Sequence, residues 1–182
     1  MTRELLRTER LRLRGLAPSD AVRLHALDAD PEVMRYVSKG APTPLVRIEE
    51  EILPHWLGYY ARYEHLGFWA AERLATGTFI GWFHLRPYGG DETRPELGYR
   101  IARAAWGQGL ATEGARALVA RAFEAGGYPR VVATTLEANL ASRRVLERCG
   151  FTIARRFRYP LERLPGWSED ERAALEYEVA SP

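Results

Sequence analysis

The sequence has very little cysteine and lysine, and it has no long apolar run. Cys149 is the only cysteine in 182 residues, so no disulfide can form within the chain. This lack favours the cytoplasm over an oxidising compartment. No stretch approaches the roughly 18 apolar residues of a membrane-spanning helix, and residues 1–7 contain no apolar signal core. We therefore expect a cytoplasmic protein that does not enter a membrane.

Positive charge comes almost entirely from arginine, because Lys39 is the only lysine among 26 Lys and Arg residues. The formal net charge is only +2, so we expect no nucleic-acid partner. The four histidines have no metal-site spacing, and we expect no metal. The length and the hydrophobic fraction of 46% predict a single globular domain over residues 1–182, as a monomer or a homodimer.

The order of helical and strand patterns predicts an α/β fold, with a mixed sheet of α+β type. A strand over 9–16 precedes helices within 18–63, where Pro54 predicts a break. Further strands are predicted at 67–73, 78–85, 95–101, 131–136, 151–157 and 175–179, helices at 111–123 and 139–149, and a turn-rich loop at 87–94. Only one strand–helix–strand unit has a parallel crossover, which argues against a doubly wound dinucleotide-binding domain.

A glycine-rich turn lies between a predicted strand and an amphipathic helix. The turn reads Trp106-Gly107-Gln108-Gly109-Leu110-Ala111-Thr112. The first backbone N–H groups of a helix have no internal partner, and the helix dipole is positive there. Because glycines also let a phosphate approach the backbone closely, the turn predicts an anion site. For two glycines alone, a tight turn that binds nothing is the alternative.

Three phosphate ligands compete for this turn. A P-loop needs Lys and Ser/Thr after its last glycine, whereas Leu110 and Ala111 follow here. A dinucleotide site needs a third glycine, where Thr112 stands, and a second mononucleotide half that this sequence does not provide. Coenzyme A, which combines a pyrophosphate with a long pantetheine arm, remains.

Other short segments make the pattern more specific. They are Asp30-Pro31-Glu32-Val33-Met34, Gly98-Tyr99-Arg100-Ile101, Asn139-Leu140-Ala141-Ser142 and Cys149-Gly150-Phe151. With the glycine turn they resemble the GNAT acyltransferase superfamily, and within it the RimJ/RimL-like branch of ribosomal-protein α-amino acetyltransferases and their relatives. The resemblance implies a GNAT-like fold with a central, mostly antiparallel, splayed sheet flanked by helices. Trp106 departs from the Arg or Gln that usually begins the family's phosphate motif.

The resemblance also implies acetyl-CoA as co-substrate, with its pantetheine arm between the diverging strands 97–101 and 131–136. The implied cofactor-binding residues are Tyr99, Arg100, Ile101, Trp106, Gly107, Gln108, Gly109, Leu110, Ala111, Thr112, Asn139 and Ser142. For Asn139, a helix N-cap is a second reading that is compatible with the first.

The implied reaction is direct attack of a primary amine on a thioester. Glu96 is the candidate base, because it matches a family position where a glutamate often serves. A surface carboxylate at a strand start is the alternative. Ser142 is the candidate that protonates the leaving thiolate or holds the water that does, because Leu146 stands where many members have a tyrosine. The alternative for Ser142 is a hydrogen bond to the backbone at the helix start.

Two further side chains are predicted to be structural. Cys149 falls at a helix C-terminus, where the dipole disfavours a thiolate. His84 could line the acceptor cleft from its strand, but we expect it to be a structural histidine with satisfied hydrogen bonds.

The leading acceptor is a protein N-terminal α-amine, and a small amine such as an antibiotic, a polyamine or an amino acid is the second. A catalytically silent acyl-CoA sensor is a hypothesis of a different class. We expect the acceptor site within residues 24–63. A cleft lined by carboxylates would favour a cationic small molecule, and an open groove with main-chain donors would favour a peptide.

Overall fold

The protein is built on one eight-stranded sheet. The computed structural model describes residues 4–182, and the first three residues of the predicted domain lie outside the described part. The strands are β1 (Glu4–Arg7), β2 (Leu11–Gly15), β3 (Gly67–Arg73), β4 (Phe79–Tyr88), β5 (Asp91–Ile101), β6 (Arg130–Leu136), β7 (Thr152–Arg158) and β8 (Ala173–Ala180). Their order is β1-β2-β3-β4-β5-β6-β8-β7, and every neighbouring pair is antiparallel except β5 and β6. The predicted mixed, mostly antiparallel sheet is confirmed.

Helices lie between the strands and cover the sheet. They are α1 (Ala21–Asp28), α2 (Pro31–Ser38), α3 (Leu45–Arg47), α4 (Leu53–Leu57), α5 (Tyr59–Arg62), α6 (Leu110–Glu124) and α7 (Leu140–Arg148), with a π-helical turn over Ile48–Ile52. At Pro54, where the sequence predicts a break or a kink, the helical path is not broken, because α3, the π-helical turn and α4 follow one another without interruption. The path departs from α-helical geometry in the π-helical turn that ends just before α4. The path turns at Gly58 instead, between α4 and α5. Across residues 4–182, no helix combines the length and the apolarity needed to cross a bilayer.

Two hydrophobic cores lie on opposite faces of the sheet. Side chains of successive strand residues point to opposite faces, so on β4 Phe83 enters one core and Trp82 enters the other. The Phe83 core contains α6, represented by Leu118, and the Trp82 core contains α1 and α4, represented by Leu24 and Leu53. Because these side chains are almost completely buried, each contributes roughly 1.5–3 kcal/mol of transfer free energy.

Two elements differ from the sequence-based expectation. The predicted loop at 87–94 is a hairpin, in which β4 continues to Tyr88 and β5 begins at Asp91. Gly89 and Gly90 form its turn, with φ of +60° and +88°, values that glycine adopts readily. Strand β1 was not predicted, because its four residues are too few to show a period; it pairs with β2 at the sheet edge.

The parallel pair β5–β6 opens into a V. One residue pair, Glu96 and Val132, bridges the two strands. Beyond it β5 stays paired with β4 as far as Ile101, and β6 stays paired with β8 as far as Leu136. Within the described part of the chain, no second residue pair joins β5 to β6. Each strand then leads through a short turn into a helix, so the N-termini of α6 and α7 lie at the open end of the V.

Candidate active site

The glycine turn presents free backbone N–H groups at the start of α6. Gly107 and Gly109 have φ of +72° and +76°, which a residue with a Cβ rarely adopts. The first helical hydrogen bond runs from Glu113 N to Gly109 O, at 3.0 Å. The amides of residues 110–112 have no acceptor among residues 4–182. Together with the helix dipole, these unpaired donors create a site for an anion such as a phosphate.

Arg10, at the start of β2, fixes this turn from outside. Its Nη1 donates to the carbonyl oxygen of Gln108 at 2.8 Å, and its Nη2 lies 2.6 Å from Glu113 Oε2. Although burial opposes it, hydrogen bonds from Thr8 and Arg10 hold the pKa of Glu113 below its usual value. The carboxylate is therefore an anchor for Arg10 at neutral pH. Arg10 was not predicted from the sequence, because it is distant along the chain from the motif that it supports.

A cleft of about 580 Å³ adjoins the turn. It is lined by Gly109 and Thr112, by three arginines, Arg10, Arg116 and Arg148, and by two glutamates, Glu9 and Glu113. The lining thus carries a small excess of positive side-chain charge in addition to the backbone donors.

Two of the predicted cofactor residues direct their side chains elsewhere. The Trp106 indole N–H donates to the carbonyl oxygen of Ile101 at 2.7 Å, which folds the ring back against the end of β5. The Arg100 guanidinium lies on the face of the sheet that carries the Trp82 core. It is 2.5 Å from Asp28 Oδ1 and lies over the ring of Trp82. Any contact of Arg100 with a cofactor in the V is therefore made by its backbone.

Tyr99 and Ser142 meet across the V. The Tyr99 hydroxyl lies 3.1 Å from Ser142 Oγ, which joins β5 to the first turn of α7. Asn139 Oδ1 accepts a hydrogen bond from Ser142 N at 3.1 Å, so Asn139 is the N-cap and the Ser142 hydroxyl is not needed for capping. Burial raises the pKa of Tyr99, which therefore keeps its proton at neutral pH. Leu146, in the position of the family's tyrosine, lies in the core.

Cys149 ends α7 beside this pair. Its thiol donates a weak hydrogen bond to Thr112 O at 3.6 Å. Burial raises the pKa of the thiol to about 11, so it is protonated at neutral pH. This environment agrees with the predicted structural role.

Glu96 lies on the other face of β5, at the point where the V closes. Its side chain is 5% exposed, so the surface-carboxylate alternative is wrong. Oε2 accepts from Arg86 Nε at 2.8 Å, and Oε1 accepts from Thr134 Oγ1 at 2.6 Å. The carboxylate is thus held between β4 and β6.

His84 packs against β5 next to Glu96. The ring lies so close to Gly98 that it leaves no room for a Cβ at that position, and it stacks on Trp82. Neither ring nitrogen has a hydrogen-bond partner in the described part of the chain, contrary to the sequence-based expectation. Burial and the nearby positive charges of Arg86, Arg100 and Arg163 lower the pKa of His84 well below its usual value, so the ring is neutral.

A cleft of about 520 Å³ opens on this face. Its walls are Tyr59 and Tyr63, the hairpin tip 87–90, Arg86, Glu96 and Arg163. The expected acceptor region, 24–63, supplies only the two tyrosines. The other lining residues come from the β4–β5 hairpin and from the loop between β7 and β8. No sequence motif predicted that these segments would contribute. Residues 4–182 contain no group of three or more His, Cys, Asp or Glu side chains that could hold a metal ion.

Known proteins that are similar to this chain include several acetyltransferases. Residues 10–152 match the family model described as an acetyltransferase (GNAT) domain. Over 160 residues the chain is 38% identical to the FsC-acetyl coenzyme A-N(2)-transacetylase of Aspergillus fumigatus, covering 84% of this chain and 66% of that protein. It is 31% identical to YoaA of Bacillus subtilis, which is named an N-acetyltransferase, over 81% of this chain and 82% of YoaA.

A solved structure of the ribosomal L7/L12 α-N-protein acetyltransferase RimL is similar in fold. The TM-score is 0.80 at 18% identity, over 100% of this chain and 96% of that chain.

Proposed function

The chain belongs to the GNAT acetyltransferase family and is an acyltransferase, and we propose that it moves the acetyl group of acetyl-CoA to a primary amine by direct attack in the V. The observation that supports this most is the single β5–β6 bridge at Glu96–Val132, beyond which the strands diverge and end at two helix N-termini. A long, thin ligand with a phosphate at one end suits that opening.

The residues of this site fit acetyl-CoA. The free amides of residues 110–112, together with Gly107 and Gly109, would hold its pyrophosphate, and the open edges of β5 and β6 would hold the pantetheine arm. When bound, acetyl-CoA supplies an activated acyl carbon that a neutral amine can attack. Holding the two reactants together can lower the barrier by about 7–11 kcal/mol.

We assign the two proton transfers of the reaction to residues on opposite faces of β5. The amine nitrogen forms a bond to the acyl carbon, the carbon–sulfur bond breaks, and the amine loses one proton while the thiolate gains one. Glu96, on the cleft face, would accept the amine proton directly or through water. Ser142, on the opposite face with Tyr99, would donate a proton to the thiolate or position the water that does.

We propose an α-amine, either of a protein N-terminus or of a small molecule, as the acceptor. Its pKa is about 7.7–8.0, against about 10.4 for a lysine side chain, so roughly a tenth of it is neutral at pH 7, whereas less than about a thousandth of a lysine side chain is. Such an amine needs little help from a base. That requirement suits a site whose one buried carboxylate, Glu96, is already paired with Arg86.

A protein N-terminus remains the leading acceptor, on the resemblance to the RimJ/RimL-like branch. The second candidate, a small amine, is supported by the relative at 38% identity, whose name gives an N(2)-transacetylase. The chain spans 66% of that relative's length, so its activity is not transferred whole. We also propose that the protein acts in the cytoplasm as a single domain, on the composition described above.

An assay of CoA release tests the proposal. Acetyl-CoA is incubated with the protein and with a panel of α-amine and side-chain-amine acceptors. We expect free thiol to appear together with an N-acetylated product that mass spectrometry locates on the α-amine. Tight binding of acetyl-CoA without thiol release from any acceptor would instead support the acyl-CoA sensor.

A further inference from the structure

The acceptor cleft has one charged group that the protein itself does not neutralise. Its three charged lining residues are Arg86, Glu96 and Arg163. Arg86 and Glu96 form an ion pair at 2.7 Å. Within residues 4–182, no carboxylate lies within 4.0 Å of the Arg163 guanidinium. The cleft therefore has an uncompensated positive charge, and its one carboxylate is already engaged.

Arg163 is exposed but fixed in place. Its guanidinium carbon lies 4.1 Å from the centre of the Tyr159 ring, and Tyr159 is 7% exposed. Arg172 Nη1 donates to the carbonyl oxygen of Tyr159 at 2.6 Å. An arginine stacked on a buried ring loses less side-chain entropy when it binds a ligand than a freely moving one does.

The loop that carries Arg163 is fastened to α2 by the only lysine of the chain. Lys39 Nζ donates to Glu171 Oε2 at 2.8 Å and to the carbonyl oxygen of Gly166 at 3.1 Å. Lys39 also lies over the ring of Trp167, which packs in a small core with Tyr159 and Leu164. The loop is thus tied at several points on both sides of Arg163.

The neighbouring His84 gives a second indication. Its two ring nitrogens are buried and have no hydrogen-bond partner among residues 4–182, although they face the same sheet surface as Glu96. The ring is neutral, so it adds no charge to this surface. Among the residues that line the cleft, a polyamine would therefore meet two arginines and one carboxylate that is already paired with Arg86.

We infer that the acceptor amine carries a carboxylate, and that Arg163 binds this carboxylate while the amine lies beside Glu96, where the V closes. The inference rests on the proposed N-acetyltransferase function and narrows its substrate class. A guanidinium matches a carboxylate with two parallel hydrogen bonds, which an ammonium group cannot form. The carboxylate belongs either to a small amino acid-like molecule or to an acidic side chain near a peptide N-terminus.

The test uses acceptor pairs that differ in one charge. In the peptide arm, Ala-Glu-Ala amide is compared with Ala-Gln-Ala amide. In the small-molecule arm, glycylglycine is compared with glycylglycinamide. The amines within a pair have similar basicity, so a difference in kcat/KM reports on recognition of the carboxylate. Spermidine serves as the cationic acceptor. The arm with the larger acid-to-amide ratio identifies the source of the carboxylate.

The variants are Arg163→Gln, Arg163→Lys and Arg47→Gln. Arg47 is an exposed arginine on α3 that does not line the cleft, and it is the matched control. We expect the parent and Arg47→Gln to favour the acid over its amide by about 10-fold in one arm, and we expect Arg163→Gln to lose that ratio. Arg163→Lys should keep only part of it. Spermidine should be the poorest acceptor.

Binding to the CoA complex decides the inference independently of turnover. Calorimetric titration of the acid and amide acceptors into protein saturated with CoA should give the same ratio and the same loss in Arg163→Gln. Equal affinity of the parent for acid and amide, or no measurable binding of either acid, would overturn the inference. Acetylation of acid and amide with equal kcat/KM would also overturn the inference but would leave the proposed function intact. Acid-selective binding without any turnover would support the inference and contradict the proposed function.

Discussion

The two faces of β5 are built by different means. On the face that we propose binds the cofactor (the cofactor face), the turn before α6 presents backbone amides whose geometry is set by two glycines and a helix start within residues 107–112. On the face that we propose binds the acceptor (the acceptor face), the cleft is made of side chains from α5, the β4–β5 hairpin and the loop between β7 and β8. Backbone recognition is encoded locally and is readable in the sequence. Side-chain recognition assembled from distant segments is not.

This contrast predicts which substitutions change the binding of CoA and which change the choice of acceptor. A pyrophosphate needs unpaired N–H groups, and many sequences can supply them as long as the glycines remain. The acceptor face depends on which side chain occupies each of a few positions, such as Arg163 on its loop. We therefore expect substitutions in the turn to affect CoA binding with every acceptor, and substitutions in the cleft to affect only the choice of acceptor.

The strongest test of the contrast is Gly109→Ala. A Cβ at this positive φ would strain the turn and crowd the approach to the free amides. We expect CoA affinity to fall about 100-fold, which corresponds to losing one or two charge-assisted hydrogen bonds. Isothermal titration of CoA measures the effect.

Gly77→Ala is the matched control for this substitution. Gly77 has φ of +68°, and a Cβ added there would have no other atom within 4 Å. It lies in the turn between β3 and β4 and does not line the cleft beside the glycine turn. Both variants should lose similar stability from backbone strain. Unchanged CoA affinity in Gly109→Ala, or an equal loss in both variants, would remove the pyrophosphate from this turn.

The second test concerns the hydroxyl pair across the V. Ser142→Ala should lower turnover about 30-fold, within the range of one proton donor or water-positioning contact, and leave CoA affinity unchanged. Tyr99→Phe should have a similar effect, and the double variant should be little worse than either, because the two hydroxyls contact each other at 3.1 Å. Single-turnover rates decide the question.

Asn139→Ala provides the comparison for Ser142. Since Asn139 caps α7 through Ser142 N, its loss should cost about 1 kcal/mol of stability. If Ser142→Ala lowers the melting temperature in the same way and leaves turnover at the parent's level, Ser142 is a structural residue.

The cofactor face was predicted well from the sequence, and physical locality explains why. The strand 97–101, the turn and the start of α6 are contiguous in the sequence. The hydrophobic pattern and the positions of the glycines were therefore enough to predict these three elements. The pairing of Tyr99 with Ser142 was missed, because it spans 43 residues and depends on how α7 crosses the V. The motifs indicated both residues but not their contact.

The acceptor face was predicted poorly for a related reason. The segment 87–94 contains one proline, two glycines and three charged residues, which together obscure the alternation of apolar and polar residues, although β4 and β5 extend through it. Arg163 lies in a loop with no regular pattern, and its proximity to Glu96 is a property of the tertiary fold alone. Glu96 was named because it matches a family position where a glutamate often serves, and the expected region 24–63 included Tyr59 and Tyr63 of the cleft.

The third test asks whether Glu96 acts as a base. Glu96→Gln should lower kcat/KM about 10-fold at pH 6.5, and the difference should narrow as the pH rises through about 8, because more of the α-amine is then neutral without help. Thr134→Val, which removes one hydrogen bond to the carboxylate but keeps its charge, is the control and should have a weaker effect at every pH. A constant ratio between Glu96→Gln and the parent from pH 6.5 to 9 would exclude a base function.

The smallest effect is expected at Cys149, which lies on the cofactor face without belonging to its chemistry. Burial raises the pKa of the thiol to about 11, and its contact is the Thr112 carbonyl oxygen at 3.6 Å. Cys149→Ser should therefore leave turnover within about twofold of the parent and lower stability by about 1 kcal/mol, because only a weakly bonded, partly buried sulfur is replaced.

Alkylation of the parent protein by iodoacetamide measures the same property directly. Only the thiolate reacts, and a pKa of about 11, against about 8.5 for a free cysteine, leaves about 300-fold less of it at neutral pH. The alkylation rate should keep increasing with pH above 9, where a free thiol has already levelled off, and unfolding in urea should restore the ordinary rate. Alkylation of the folded protein at the rate of free cysteine, with loss of turnover in Cys149→Ser, would place a reactive thiol in the V. The division between the faces of β5 would then have to include covalent chemistry on the cofactor side.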